Sequence, residues 1–177
     1  MERRHQAVCI PFFLLLLLLP GRAQGLPAGF RGLSLGMAIE EAKQTLRGDP
    51  LFSYRGDPDV SFLPHSAETL IECGGNSYVK RAYLQFQDGK LLSLILVLQE
   101  QKLDHFTLFT ALQRKYGEPE SLTPRETVWQ SEQVRFSLEK PLTVKYLEKK
   151  AFEAAKAEGA PAKDPSEMAR ERFVEQF

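Results

Sequence analysis

Val79-Lys80-Arg81-Ala82-Tyr83-Leu84-Gln85-Phe86-Gln87-Asp88-Gly89-Lys90-Leu91-Leu92-Ser93-Leu94-Ile95-Leu96-Val97-Leu98-Gln99 is the stretch whose reading decides the fold. Ala82, Leu84 and Phe86 alternate with Tyr83 and Gln85, the period of a strand with one buried face. Asp88-Gly89 follows, a pair that accepts the positive φ both positions of a two-residue hairpin turn require. After the turn, residues 91–98 are apolar on both faces, which predicts a central strand covered on both sides. Composition alone also fits a buried helix there, but the hairpin argues for the strand.

Working outward, two segments read as helices. Residues 38–47 place Ile39, Ala42 and Leu46 on one face, and Gly48-Asp49-Pro50 supplies a stop. Residues 105–116 place Phe109, Leu112 and Tyr116 on one face with Phe106 and Leu108 beside it. Asp104 is the expected N-cap, and Gly117-Glu118-Pro119 repeats the stop. Strand signals follow each helix. They cover 60–63, 69–73, 79–87 and 90–99 in the first half, then 127–130, 133–138 and 142–147 in the second. The expected fold is α+β: an antiparallel sheet with both helices packed on one face, built from two related α-β-β-β halves.

The ends of the chain read differently. Arg3, Arg4 and His5 precede an apolar run from Ala7 to Leu19, and small residues follow it. That order is a secretory signal, with cleavage expected near Ala23 or Gly25 and a periplasmic or secreted destination. A run of about 13 residues is short of the ~20 a spanning helix needs, so no stable membrane span is expected after cleavage. From Glu148 the chain turns rich in Ala, Glu and Lys, which predicts an exposed helix to Glu158 with Phe152 its only large apolar residue. Residues 159–163 read as a linker. Asp164-Pro165-Ser166-Glu167 then reads as a new helix start. A disordered tail is the alternative reading of this end, but the helix carries Ala169, Phe173 and Phe177 at a spacing of four, with Val174 beside them, and a free tail seldom needs two phenylalanines on one face. Phe173, Val174 and Phe177 are therefore the candidate partner-binding residues. The organisation is a signal at 1–25, a domain at 26–147 and a charged helical tail at 148–177.

Charge and cysteine content bound the function. The 23 basic and 23 acidic residues fall to 20 and 22 once the signal is removed. A near-neutral chain lacks the basic footprint of a nucleic-acid binder or of an anionic-membrane binder. Only Cys73 then remains, so no internal disulfide is available, and its place at the end of an apolar stretch suits a packed thiol.

Residues 32–42, Gly-Leu-Ser-Leu-Gly-Met-Ala-Ile-Glu-Glu-Ala, resemble the opening of small Gram-negative envelope domains of the SmpA/OmlA (BamE-like) type. Those domains open with Gly-Met, a hydroxyl N-cap, an acidic helix, a Gly-x-Pro stop and a β-meander. The likeness covers the first helix and one hairpin. Ala38 stands where the family has its hydroxyl cap, a loss of about 1 kcal/mol. The lipidated cysteine of the outer-membrane members is missing, and a second helix and strand group are added. The resemblance implies a non-lipidated, duplicated relative with an envelope binding or assembly role, without catalysis.

No catalytic, cofactor-binding or metal set is expected. Cys73 with His65 is the only conceivable thiol pair, and its flanks match no cysteine-hydrolase signature. Asp104-His105 and Asp57-Pro58-Asp59 fall short of zinc and calcium patterns. Arg55-Gly56-Asp57 is an adhesion tripeptide that a charged turn explains equally well. Trp129 reads as a core or sheet-face aromatic. The leading expectation is an exported, non-enzymatic protein that binds an envelope protein partner. The alternatives are a carrier of a small apolar ligand or lipid, and a thiol hydrolase using Cys73.

Overall fold

The computed structural model describes residues 25–62 and 68–157, together with Val174. The signal stretch, His65 and the C-terminal segment other than Val174 lie outside them. A small hairpin, β1 (Gly29–Phe30) and β2 (Leu33–Ser34), leads into α1 (Ile39–Gly48). Short strands β3 (Phe52–Ser53) and β4 (Val60–Phe62) precede a meander of β5 (Glu68–Gly75), β6 (Val79–Gln87) and β7 (Lys90–Leu98). Then come α2 (His105–Tyr116), β8 (Ser121–Leu122), β9 (Glu126–Gln130), β10 (Val134–Glu139), β11 (Thr143–Glu148) and α3 (Lys149–Ala157).

Asp88 and Gly89 take φ of 50° and 73°, as the hairpin requires. β7 is central, flanked by β6 and β11, and is largely buried. All pairings in the main sheet are antiparallel, in the order β3-β5-β6-β7-β11-β10-β9-β8, with β4 also on β5. The two meanders therefore run outward from a shared β7–β11 centre, where Leu96 faces Val144 and Leu94 faces Tyr146. Each half contains a helix, a two-residue edge strand and a three-stranded meander, and the first half adds β4. The second half is thus one short strand longer than the predicted α-β-β-β unit, and the first half two. β3 and β8 escaped the sequence because two residues carry no alternation.

Both helices lie on one face of the sheet. Ala42 and Leu46 of α1 are buried with Ile71, Ala82, Leu84, Phe86, Leu94 and Leu96. Leu108, Phe109, Leu112 and Tyr116 of α2 pack on the same core, near Trp129, Phe136 and Tyr146. No residue of α2 is fully buried, so that helix is seated more shallowly than α1.

The two helix stops differ despite their shared Gly-acid-Pro sequence. Gly117 caps α2 with φ of 86°, as expected. Gly48 is instead the last helical residue, and Asp49 is the cap. Asp49 can take that place because its carboxylate binds the Arg31 guanidinium at 2.6 Å and accepts from Leu51 N at 2.9 Å. At the other end of α1, Ala38 gives no side-chain cap. The amide of Ile39 donates to Gly89 O at 3.1 Å instead, so the Asp88-Gly89 turn supplies the missing acceptor.

α3 keeps no fully buried side chain among its described residues, as a mostly solvated helix should, but it is anchored at its start. Its start is held by Lys149 N on Gln133 O and by Ala151 N on Glu148 Oε2. Phe152 lies under the Arg135 guanidinium at 4.8 Å. Arg135 pairs with Gln130 and Leu147 in the register that points away from α1 and α2, so α3 sits on the opposite face.

Candidate functional site

The shallow seat of α2 creates the site. Asp104 accepts from Thr107 N at 2.8 Å and from Thr107 Oγ1 at 2.6 Å, which fixes the first turn. Trp129 holds the rest from below. Its ring lies 6.4 Å from Phe109, and its indole N–H donates to Gly117 O at 2.9 Å, at the helix end. Phe136 links Trp129 to Tyr116 and Tyr146 at centroid distances of 5.0–5.7 Å. The expectation of a sheet-face aromatic at 129 holds, and its indole N–H gives the residue a second task at the helix end.

The N-terminal end of α2 shares a cleft with the β8–β9 segment and the β10–β11 turn. There Phe106 is 75% exposed and Leu122, on the two-residue edge strand β8, is 66% exposed. The sequence placed Phe106 beside the buried stripe. The structure leaves it exposed. Phe106, Phe109 and Leu122 border a cleft of about 190 Å³. His105, Thr123, Arg125, Glu126, Thr127 and Lys140 complete its lining. Thr123 shapes the approach, its hydroxyl accepting from Glu126 N at 3.0 Å. Glu126 is engaged by Arg135 at 3.0 Å, while Arg125 and Lys140 form no ion pair among the described residues. Burial, and next the neighbouring Lys140 charge, hold the His105 imidazole below its ordinary range, against the pull of Asp104. The lining therefore brings the cations of Arg125 and Lys140 together with the His105 imidazole.

The halves of the fold explain why this place is open. The equivalent space beside the α1 N-terminus lies next to the β6–β7 turn. The β1–β2 hairpin and its exit fill it, with Leu33 and Met37 buried. Main-chain bonds seal it: Gly36 N to Leu91 O at 2.7 Å and Leu91 N to Met37 O at 2.9 Å. The space beside the α2 N-terminus lies next to the β10–β11 turn at Lys140, and among the described residues no second hairpin fills it.

The sequence-predicted candidates fall elsewhere. Cys73 is buried among core side chains, and burial pushes its thiol up to about 12. Its proposed partner His65 lies outside the described residues. Arg55-Gly56-Asp57 is folded into a closed turn. Arg55 donates to the buried Asp59 carboxylate from its backbone N at 2.8 Å, and its side-chain Nε and Nη2 bind the other oxygen at 2.9 and 2.5 Å. Among the described residues no three His, Cys, Asp or Glu side chains are placed to hold a metal ion. Val174 is exposed, and Phe173 and Phe177 lie outside the described residues. No local pattern marked Leu122, Arg125 or Lys140 as site residues, because their meeting depends on long-range strand pairing.

The profile of the TP0088 domain family matches residues 28–158. No curated protein and no solved structure matches the chain.

Proposed function

The chain belongs to the TP0088 domain family, and on that premise we propose that it is an exported, non-enzymatic module that binds another protein of the cell envelope through the cleft beside α2. The observation that carries this reading is the half-to-half difference. The first half closes the space beside its helix with its own hairpin, and the second leaves the same space to a partner. The chemistry of the cleft describes the occupant: an extended segment with one apolar side chain for Phe106, Phe109 and Leu122, flanked by carboxylates for Arg125 and Lys140. The signal-like first 25 residues support export. Among the described residues no helix is long and apolar enough to cross a membrane.

Size favours a protein segment over a carried ligand. Pockets that enclose small molecules run to about 300–1,000 Å³, and this cleft holds about 190 Å³. That is room for one anchoring side chain. The thiol-hydrolase reading loses its nucleophile to the burial of Cys73.

The test is a photo-crosslinking amino acid placed at Phe106 and at Leu122 in intact cells, with exposed Gln44 of α1 as the control. Capture of one and the same protein from positions 106 and 122, and not from 44, is the expected result. Equal labelling from all three positions, or a small molecule in the native mass spectrum and no protein, removes the reading.

A further inference from the structure

The sheet face opposite α1 and α2 carries a second apolar cluster. Leu70, Tyr83 and Ile95, on three neighbouring strands, are 2%, 8% and 1% exposed, with Val97 packed beside them. Among the described residues this cluster contains strand side chains only. An antiparallel sheet with one solvated face carries polar residues there. Three nearly inaccessible apolar side chains in its middle describe a face with a cover. Within the described residues α3 reaches only its β10–β11 end, where Phe152 meets Arg135.

We propose that residues 164–177 of this chain pack across that face, seating Phe173 and Phe177 on Leu70, Tyr83 and Ile95. The chain continues for 20 residues beyond α3, which has already turned onto this side. Fourteen helical residues span about 21 Å. The four strand spacings from β5 to β10 span about 19 Å. Residues 158–163 reach up to about 20 Å when extended, enough for the chain to turn back. A spacing of four keeps Ala169, Phe173 and Phe177 on one stripe, and Val174 sits about 100° from Phe173. Val174 is exposed, as a residue on the flank of a docked helix is. Glu72 with Arg81, and Glu139 with Lys145, border the cluster, and residues 167–175 alternate acidic and basic side chains to meet them.

The experiment uses the full chain with Val97→Cys as a thiol probe at the edge of the cluster. Maleimide labelling of the introduced thiol is followed by peptide mass spectrometry, which separates it from Cys9 and Cys73. The probe should label slowly, and Phe173→Asp with Phe177→Asp should speed labelling at least tenfold, at every protein concentration. An unchanged near-ultraviolet signal from Trp129 in that variant shows that the core is intact. A second variant, Phe173→Leu with Phe177→Leu, should retain the protection. Labelling that ignores the aspartate changes overturns the proposal. Protection that fades on dilution, with a dimer by sedimentation, assigns the face to a second copy and overturns it equally.

Discussion

Replacing Trp129 with Phe tests how α2 is held. The indole N–H is donated to Gly117 O in a buried place, and Phe cannot make that bond. A neutral hydrogen bond contributes about 1 kcal/mol net, and a carbonyl left without a partner raises the loss to about 1–3 kcal/mol. The missing indole atoms leave a void between Phe109 and Phe136 that costs about 1 kcal/mol more. The expected loss is therefore about 2–4 kcal/mol. In a chain of this size each kcal/mol lowers Tm by about 2–4 °C. Urea titration should move the midpoint with the slope unchanged. Hydrogen exchange should quicken across residues 105–116 more than across 39–48, since α2 has no fully buried residue of its own and α1 has Ala42 and Leu46. A loss under about 1 kcal/mol, or equal quickening in both helices, refutes the view that Trp129 pins α2.

The His105 imidazole, held down first by burial and next by Lys140, should titrate below 6.5 by nuclear magnetic resonance. Lys140→Gln should raise the midpoint and Asp104→Asn should lower it, and no response to Lys140 would contradict the closeness of His105 and Lys140 in the cleft. Because the folded pKa lies below the unfolded one, His105 favours folding above the unfolded value, and that contribution is lost as pH falls through the folded value. Cys73, with its thiol near 12, should resist Ellman's reagent at pH 8 in the native protein and react in urea; prompt native reaction would show an open core. Arg55→Ala should cost more stability than Asp59→Asn in urea titration, since it strands a buried carboxylate where the other change frees an exposed cation. The reverse order would show that the turn does not depend on this pair.

Local patterns carried much of this fold in the sequence. The alternation from Ala82 to Phe86 and the Asp88-Gly89 turn defined the central hairpin. Asp104 and Gly117 marked both ends of α2 to the residue. What stayed hidden was set by partners distant in sequence. Asp49 ends α1 because Arg31 reaches it from the β1–β2 turn. β3 and β8 exist only because β5 and β9 offer edges. Helical periodicity put Phe106 beside the apolar face of α2 but does not tell what covers that position, and the structure leaves it exposed. For the same reason the cleft could not be read ahead: Phe106, Leu122 and Lys140 come from three separate segments that meet at one edge. Phe173 and Phe177 stood out by spacing alone, and a stripe does not name its seat.

The affinity of the crosslinked partner for cleft variants tests the central claim most directly. With the partner purified and titrated by calorimetry, Phe106→Ala and Leu122→Ala should each weaken binding at least tenfold, about 1.4 kcal/mol. Gln44→Ala should leave it unchanged. Affinity within twofold of the parent for both cleft variants would place the partner elsewhere on the domain and contradict the account.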